Sequence, residues 1–175
     1  MSPRFYGFIH EKLDIKILIL YVLEKLPGPV HEDELVELVM FDGGFSWFEY
    51  NDCLADLETS GHITYDNNRY EITELGRQSV QTVGSSLPYS VRMRADKLTA
   101  PVAAAMRRSA MIETETETEP DGACFARLRM SDGSGEIITV RIAAPSVESA
   151  DGIGARFRKN AESITTRIIQ LLTED

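Results

Sequence analysis

The stretch LADLETSGHITYDNNRYEITELGRQSV, residues 54–80, decides the fold of the first half of the chain. Its helix closes at Gly61, a residue type that readily takes the left-handed conformation after a helix C-terminus. Asn67-Asn68 is typical of the tight turn of a β-hairpin. The predicted strands and the helix after them are His62 to Asp66, Arg69 to Thr73 and Glu74 to Val83.

Three helices are predicted upstream of this hairpin. The first, Asp14 to Leu26, is apolar on nearly every side, which is typical of a buried helix, and a Pro-Gly-Pro run ends it. The second begins at His31 with acidic residues in its first turn, where the helix dipole favours them. The third begins at Ser46, and Glu49 three residues later completes a capping box.

Three helices followed by a hairpin have the order of a winged helix-turn-helix domain. The segments ILILYVLEKLPGPV, DELVELVM and residues 54–80 resemble those of bacterial winged-helix transcription regulators. By this resemblance, residues 1–83 form the winged helix-turn-helix domain, the helix from Ser46 is its recognition helix and the hairpin is its wing. The resemblance implies double-stranded DNA as a partner.

The last third of the chain, residues 111–175, has a different pattern. Three segments alternate between apolar and polar residues and predict strands, namely Ile112 to Glu119, Ala123 to Met130 and Glu136 to Ala143. A helix is predicted from Pro145-Ser146, and Asn160 is predicted to cap a final one. The fold class is therefore α+β, with a winged helix followed by a small domain of a three-stranded antiparallel sheet and C-terminal helices.

The segment VRIAAPSVESADGIGARFRKNAESITTRIIQLL, residues 140–172, extends the resemblance to nearly the whole chain. It is similar to the closing segment of a bacterial family of unknown function (DUF) that joins an N-terminal winged helix to a small α/β domain. The matching residues are Pro145, Ala150, Phe157-Arg158-Lys159-Asn160, Ile164, Ile168-Ile169 and Leu172. Thr165 departs from the pattern, because an aromatic residue is usual there. The resemblance implies a transcription regulator.

Charge is distributed unevenly along the chain, whose net charge is −10. Residues 1–83 hold 6 Lys/Arg and 15 Asp/Glu, whereas residues 84–112 hold 5 and 1. Nucleic-acid binding usually leaves a basic footprint, so this balance argues against strong nonspecific DNA affinity.

Apolar runs and cysteines bear on localisation. The longest apolar run, Ile15 to Leu23, falls far short of the ~20 residues that span a bilayer, and no signal peptide is recognisable. Cys53 and Cys124 are read as reduced thiols. We expect a cytoplasmic protein without a membrane partner.

The recognition helix presents unusual chemistry for a DNA reader. Its predicted core side holds Trp47, Tyr50, Leu54 and Leu57. Its predicted outward face holds Phe48, Glu49, Asp52, Ala55 and Asp56. Carboxylates can accept a hydrogen bond from cytosine N4, but here they would also meet the phosphate backbone. Three interpretations stay open: direct groove reading, a solvated acidic face, and a protein-binding surface centred on Phe48.

Candidate DNA contacts lie at the hairpin tip and in the connecting helical segment, residues 84–110. They are Asn67, Asn68 and Arg69 at the tip, and Arg92, Arg94, Lys97, Arg107 and Arg108 in the segment. Arg94, Lys97 and Arg108 share a face if the helix is continuous, although Pro101 is expected to kink or split it. The alternative is that these bases neutralise the acidic domains on either side.

The connecting segment also carries a short apolar repeat. Val91, Leu98 and Val102 are the candidate residues of a dimer seam, with Ala95 and Ala105 completing the 4-3-4-3 spacing. Packing of the same residues on their own domain is the alternative. We expect a homodimer.

The ETETETE run, within residues 112–119, predicts one acidic sheet face. Arg127, Arg129 and Arg141 are expected to be its cross-strand partners, which makes a solvated, charge-paired face. No nucleophile motif or phosphate loop is recognisable, and the three histidines are scattered. No enzymatic activity, catalytic residue, metal or cofactor is expected. The two candidate functions are a transcription regulator and a protein-interaction module whose acidic winged helix does not bind DNA.

Overall fold

The computed structural model describes residues 7–174 and divides into two compact units, one up to Met106 and one from Arg107 onward. Each unit contains one three-stranded antiparallel sheet, so the fold is α+β. None of the helices within residues 7–174 is long and apolar enough to cross a membrane.

The first unit consists of helices around a small sheet. Its elements are α1 Lys12–Lys25, β1 Val30–His31, α2 Glu32–Val39, α3 Trp47–Thr59, β2 Ile63–Asp66, β3 Arg69–Ile72, α4 Glu74–Val83 and a 3₁₀ turn Gly84–Ser86. Helix α5, Tyr89–Ala110, carries the chain across the boundary into the second unit.

Helix α1 is the centre of the first unit, as its apolar sequence predicts. Its buried residues surround the helix axis and are Ile15, Ile17, Leu18, Ile19, Leu20, Val22 and Leu23. α2, α3, α4 and β3 all pack against it. A helix that is apolar all round is thus buried all round, and the prediction for this element is confirmed.

The hairpin between β2 and β3 has the predicted turn. Asn67 and Asn68 have positive φ angles of 49° and 61°, as a two-residue type I′ turn requires. β3 is the central strand, in the order β1-β3-β2. Gly61 also has a positive φ, 73°, which confirms it as the residue that ends α3.

Trp47 was predicted to face the core, and that prediction is wrong. Its side chain is 55% exposed, whereas Tyr50, Leu54 and Leu57 are buried as expected. Trp47 is the first residue of α3, and its ring packs edge to face on Phe48 with centroids 5.6 Å apart. At this end of the helix the ring forms a wall of a cavity instead of filling the core.

Helix α5 differs from its prediction in two respects. It continues through Pro101, because this residue lies on the exposed side, where water can bond the carbonyl that loses its partner. Its buried residues follow i, i+4 spacing and are Val91, Ala95, Thr99 and Ala103. The predicted apolar repeat therefore coincides with the buried side only in its first turn.

The second unit is a sheet covered by one long helix. Its strands are β4 Ile112–Thr118, β5 Cys124–Ser131 and β6 Glu136–Ala144, paired in chain order, and α6 spans Val147–Thr173. The core is small and consists of Ala126, Leu128, Ala150, Phe157 and Ala161. Asn160 has non-helical φ and ψ angles of −132° and 22°, so the predicted helix boundary is present as a break within α6.

The open face of this sheet is charge-paired, which confirms the interpretation of the ETETETE run. Arg127 and Arg141 both contact the Glu117 carboxylate, at 3.1 and 2.8 Å. Arg129 bridges Glu113 and Glu136 at 3.3 and 3.1 Å. Each side chain is partly exposed, so each of these pairs contributes little to stability.

Replacing Glu117 should make the second unit less sensitive to acid. The Arg141 guanidinium holds the pKa of Glu117 below its usual value. Because the unfolded pKa is higher, at about 4.3, this stabilisation is present above that pH and is lost as the pH falls through the folded value. We expect Glu117→Gln to reduce the loss of unfolding free energy between about pH 7 and about pH 3, measured by urea unfolding.

Glu115→Gln is the matched control, because no ion pair of Glu115 is found within residues 7–174. An equal loss of unfolding free energy on acidification in Glu117→Gln and the unsubstituted protein would show that the pair does not govern acid stability.

Candidate functional site

Helix α3 begins with the predicted capping box. The Ser46 hydroxyl accepts a hydrogen bond from the Glu49 backbone N–H, and the Ser46 N–H donates to the Glu49 carboxylate at 2.8 Å. The Ser46 N–H and the Ser46 hydroxyl both donate to the Glu49 carboxylate, and these bonds lower the pKa of Glu49. One of the three predicted outward acids is therefore engaged in holding the helix N-terminus.

The other two outward acids of α3 are paired with lysines of α1. Lys12 Nζ lies 3.2 Å from Asp52 Oδ2, and Lys16 Nζ lies 2.8 Å from Asp56 Oδ2. The hydrogen bond from Lys16 lowers the pKa of Asp56, so the carboxylate stays ionised. The face is accordingly less negative than the α3 sequence alone indicates, because two basic side chains from another helix lie on it.

An exposed aromatic pair stands at the start of this face. Phe48 is 75% exposed, and its ring meets that of Trp47 edge to face. Ala55, also predicted on the outward face, is exposed. The face thus combines neutralised carboxylates with two accessible aromatic rings, a combination that suits protein contact better than phosphate contact.

Next to Trp47 lies a cavity of about 180 Å³ between α2, α3 and β3, which we call the α2–α3 cavity. Its walls include Glu32, Asp33, Val36, Trp47, Tyr50 and Tyr70. Sequence analysis missed this cavity, because its walls come from segments that meet only in the folded chain. The sequence features that could have indicated the cavity are the acidic first turn of α2 and the aromatic residues Trp47, Tyr50 and Tyr70.

The Tyr50 side chain is buried beside this cavity with its hydroxyl unpaired. Tyr50 is 1% exposed, and its hydroxyl has no hydrogen-bond partner within residues 7–174. Burial raises the pKa of the phenol, and nearby Tyr70 and Glu32 raise it further. Both neighbours line the α2–α3 cavity together with Tyr50 itself.

Glu32 is held in place from the hairpin. The Tyr65 hydroxyl donates to Glu32 Oε2 at 2.7 Å, and this bond raises the pKa of Tyr65 to about 12. The Tyr65 ring in turn stacks on Tyr70, with centroids 4.5 Å apart. One acidic group of the cavity is therefore fixed by an aromatic pair of the sheet.

The hairpin tip presents the three predicted side chains to solvent. Asn67, Asn68 and Arg69 are all exposed. Asn67 Nδ2 donates to the Asp66 carboxylate at 2.7 Å, and the Tyr65 hydroxyl lies 3.3 Å from Asn68 Oδ1. Arg69 is the cationic group of this tip.

The five bases of the connecting segment form no ion pair with a carboxylate of residues 7–174. Arg92 Nε donates to the Leu87 carbonyl at 3.2 Å, and Arg94 lies over the Phe41 ring, 5.2 Å from its centroid. Lys97, Arg107 and Arg108 are exposed. Since α5 is continuous, the condition for Arg94, Lys97 and Arg108 to share one side of the helix is met.

The three candidate seam residues lie in different environments. Val91 is 2% exposed and belongs to the core of the first unit, and Val102 is partly buried against that core. Leu98 is 36% exposed. Packing on their own unit thus occupies Val91 and part of Val102, which leaves Leu98 as the accessible member.

Metal-type clusters and the Cys53 thiol are two further candidates for a site in the part of the chain that the structure describes. No group of three His, Cys, Asp or Glu side chains lies close enough to hold a metal ion within residues 7–174. Cys53 is buried, and burial raises the pKa of its thiol. Such a thiol is a poor nucleophile.

Comparison with known proteins places the chain in a family. No curated protein and no solved structure matches the sequence. The model of one family, described as "Domain of unknown function (DUF4364)", matches residues 15–172 and so covers both units. The chain therefore belongs to the DUF4364 family of unknown function.

Proposed function

We propose that this protein is a transcription regulator whose first unit is a winged helix-turn-helix that contacts double-stranded DNA. The observation that carries the proposal is the order α1-α2-α3 followed by the β2–β3 hairpin, with β1 completing the sheet. In such a domain the third helix and the hairpin tip lie nearest the DNA. The hairpin tip here is solvent-exposed and carries Arg69.

The main electrostatic contact in this proposal comes from α5 and not from α3. Asp52 and Asp56 of α3 form ion pairs with Lys12 and Lys16 of α1. Helices α1 and α3 therefore offer little net positive charge to phosphate. Helix α5 carries Arg94 and Lys97 on its exposed side without a carboxylate partner among residues 7–174. Phosphate contacts by lysine and arginine supply most nonspecific DNA affinity.

The proposed DNA-binding species is a homodimer. Two copies would double the number of cationic contacts, and paired copies match the symmetry of common operators. Leu98 and Val102 remain the proposed seam residues on α5, because Leu98 stays accessible. In this proposal the second unit acts as a dimeriser or a sensor.

A second candidate function is a protein-interaction module. The exposed Trp47–Phe48 pair favours it, because aromatic residues are enriched where proteins bind each other. The two candidates differ in which surface they use, since the protein-binding surface is the α3 face and the DNA contacts lie on α5 and the hairpin.

Binding of random-sequence duplex DNA by the full chain tests the regulator proposal. Fluorescence polarisation should show binding at about 50 mM salt and a loss of ~10³–10⁵ in affinity at about 200 mM, as expected for 6–10 phosphate contacts. Arg94→Glu combined with Lys97→Glu should abolish the binding, because each substitution replaces a phosphate-binding cation with an anion.

Lys159→Glu combined with Arg167→Glu is the matched control, since it makes the same charge change at exposed positions of α6. This control should retain most of the affinity. Absence of binding up to ~0.1 mM protein, which is weaker than typical nonspecific affinity, would contradict the regulator proposal and favour the interaction module.

A further inference from the structure

The α2–α3 cavity has the chemistry of a cation site. Glu32 and Asp33 supply negative charge at its edge, and the Trp47, Tyr50 and Tyr70 side chains supply aromatic surface. Cations are attracted both to carboxylates and to the faces of aromatic rings, most strongly to tryptophan. The Glu32 carboxylate is already oriented by Tyr65, so it does not need to be ordered when a ligand arrives.

The Tyr50 hydroxyl is an independent indication that the cavity receives a polar group. A buried hydroxyl without a partner is unfavourable, and native proteins seldom leave one unpaired. Tyr50 is 1% exposed, and its hydroxyl finds no partner within residues 7–174. The oxygen can accept a hydrogen bond from an ammonium or guanidinium N–H that enters the cavity.

The size of the cavity restricts the kind of ligand. Its volume is about 180 Å³, below the range of about 300–1,000 Å³ that is typical of sites for drug-sized molecules and cofactors. One long side chain fits this space better than a free metabolite. The exposed rings of Trp47 and Phe48 beside the opening provide surface for the residues that flank such a side chain.

The charge of the first unit complements a basic partner. Residues 1–83 carry a net charge of −9, from 6 Lys/Arg and 15 Asp/Glu. The lysines of α1 pair with Asp52 and Asp56 and not with the cavity acids. Within residues 7–174, Asp33 has only His31 nearby, 3.5 Å away, and Glu32 has no basic partner.

From these observations we propose that the α2–α3 cavity is a docking site for a basic segment of a partner protein, which inserts one arginine or lysine side chain between Trp47, Tyr70 and Glu32. The cation donates hydrogen bonds to the Glu32 carboxylate and the Tyr50 hydroxyl, and Asp33 adds attraction from the edge. The site uses residues apart from the proposed DNA contacts, so it stands or falls separately from DNA binding.

The single tryptophan of the chain provides the readout, because Trp47 lines the cavity. The probe is the peptide acetyl-Leu-Arg-Leu-Arg-Leu-amide, and the comparison peptide has glutamine in place of each arginine. Titrating the full chain with the arginine peptide should change the Trp47 fluorescence saturably below ~1 mM, whereas the glutamine peptide should bind at least ~10-fold more weakly.

Charge-neutral variants locate the binding. Glu32→Gln combined with Asp33→Asn should weaken the arginine peptide at least ~10-fold, since a charge-assisted bond is removed. Glu34→Gln combined with Glu37→Gln is the matched control, because it removes the same charge from the same helix at exposed positions. The affinity of this control variant for the arginine peptide should stay within ~2-fold.

Tyr50→Phe should weaken binding of the arginine peptide without lowering the melting temperature, because the lost hydroxyl has no partner in the free protein.

Several results would overturn the proposal. Equal affinity for the arginine and glutamine peptides, or no fluorescence change up to ~1 mM peptide, would show that the cavity is not a cation site. Equal affinity for free arginine amide would indicate a small-molecule site and no protein segment. Self-association that disappears in the Glu32→Gln, Asp33→Asn variant would mean that the occupant is a second copy of this chain. A failure of DNA binding alone changes none of these outcomes.

Discussion

Phe157→Ala should strongly destabilise the second unit while leaving the stability of the first unit nearly unchanged. The buried core around Phe157 consists of three alanines and Leu128, so this ring is its largest buried side chain. Truncating a buried phenylalanine costs about 3–5 kcal/mol. Domains have about 0.05–0.15 kcal/mol of stability per residue, so a unit as short as residues 107–175 loses a large share of its stability.

Two probes separate the units in this experiment. Trp47 fluorescence reports on the first unit, whereas far-UV circular dichroism reports on both. We expect the variant to lose dichroism at low urea, followed by a fluorescence transition close to that of the unsubstituted protein. A single coincident transition shifted for both probes would show that the two units unfold together, contrary to this prediction.

Phe48→Ala is the matched control for this substitution. Phe48 is 75% exposed, so its truncation should change the unfolding free energy by no more than ~0.5 kcal/mol. A similar cost for Phe48→Ala and Phe157→Ala would mean that the core assignment of Phe157 is wrong.

Gly76→Ala has the second large expected effect on the unfolding free energy. Its sign depends on two opposing contributions, the helix preference of alanine and a steric clash of the added Cβ. Alanine is favoured over glycine inside a helix by about 1 kcal/mol. At this position, however, the added Cβ would lie 2.2 Å from the His62 carbonyl oxygen and 2.7 Å from Ile72 Cγ1. The backbone carbonyl cannot move freely, since it accepts hydrogen bonds from the Thr73 N–H and the Thr73 hydroxyl, both at 3.0 Å.

The free-energy cost of the clash should exceed the gain from the helix preference of alanine. Forcing extra volume into a packed site typically costs about 1–3 kcal/mol, and here it also disturbs the junction between the hairpin and α4. We expect Gly76→Ala to lower the unfolding free energy by about 2 kcal/mol net, measured by urea unfolding with Trp47 fluorescence.

Gly152→Ala makes the same substitution in α6 with the opposite expected sign. No heavy atom lies within 4 Å of its added Cβ, so only the helix preference acts. We expect a gain of about 0.5–1 kcal/mol in the unfolding free energy of the second unit. A stabilising Gly76→Ala would show that the hairpin does not pack against α4 as described.

Local sequence signals predicted the elements of this fold well. The all-round apolar α1, the capping box of α3, the Asn-Asn turn and the alternating strands of the second unit are each determined by neighbours in sequence. The predicted pairing of this acidic sheet face with arginines is also present, because Arg127 and Arg141 both contact the Glu117 carboxylate.

Features that depend on distant contacts could not be predicted in the same way. The pairing of Lys12 with Asp52 joins residues 40 positions apart, so the α3 sequence alone overstated the negative charge of its face. Trp47 was assigned to the core from helical periodicity, but periodicity does not show where a neighbouring element stops. The α2–α3 cavity escaped notice for the same reason, since its walls come from α2, α3 and β3.

The α5 helix shows a further limit of pattern analysis. A 4-3-4-3 apolar spacing and an i, i+4 stripe share Val91 and Ala95 and then diverge. Thr99 and Ala103 are buried in place of Leu98 and Val102 because the core of the first unit lies against that side of the helix, and short side chains allow close approach. Only the packed structure distinguishes the two patterns.

DNA contact through α5 and the hairpin tip can be tested by a ¹H–¹⁵N correlation spectrum of the full chain with and without random-sequence duplex DNA at about 50 mM salt. The regulator proposal predicts shifts for the backbone amides around Arg94 and Lys97 in α5 and at the Asn67–Arg69 hairpin tip. Shifts confined to α3, around Trp47, Asp52 and Asp56, or no shifts at all, would contradict it.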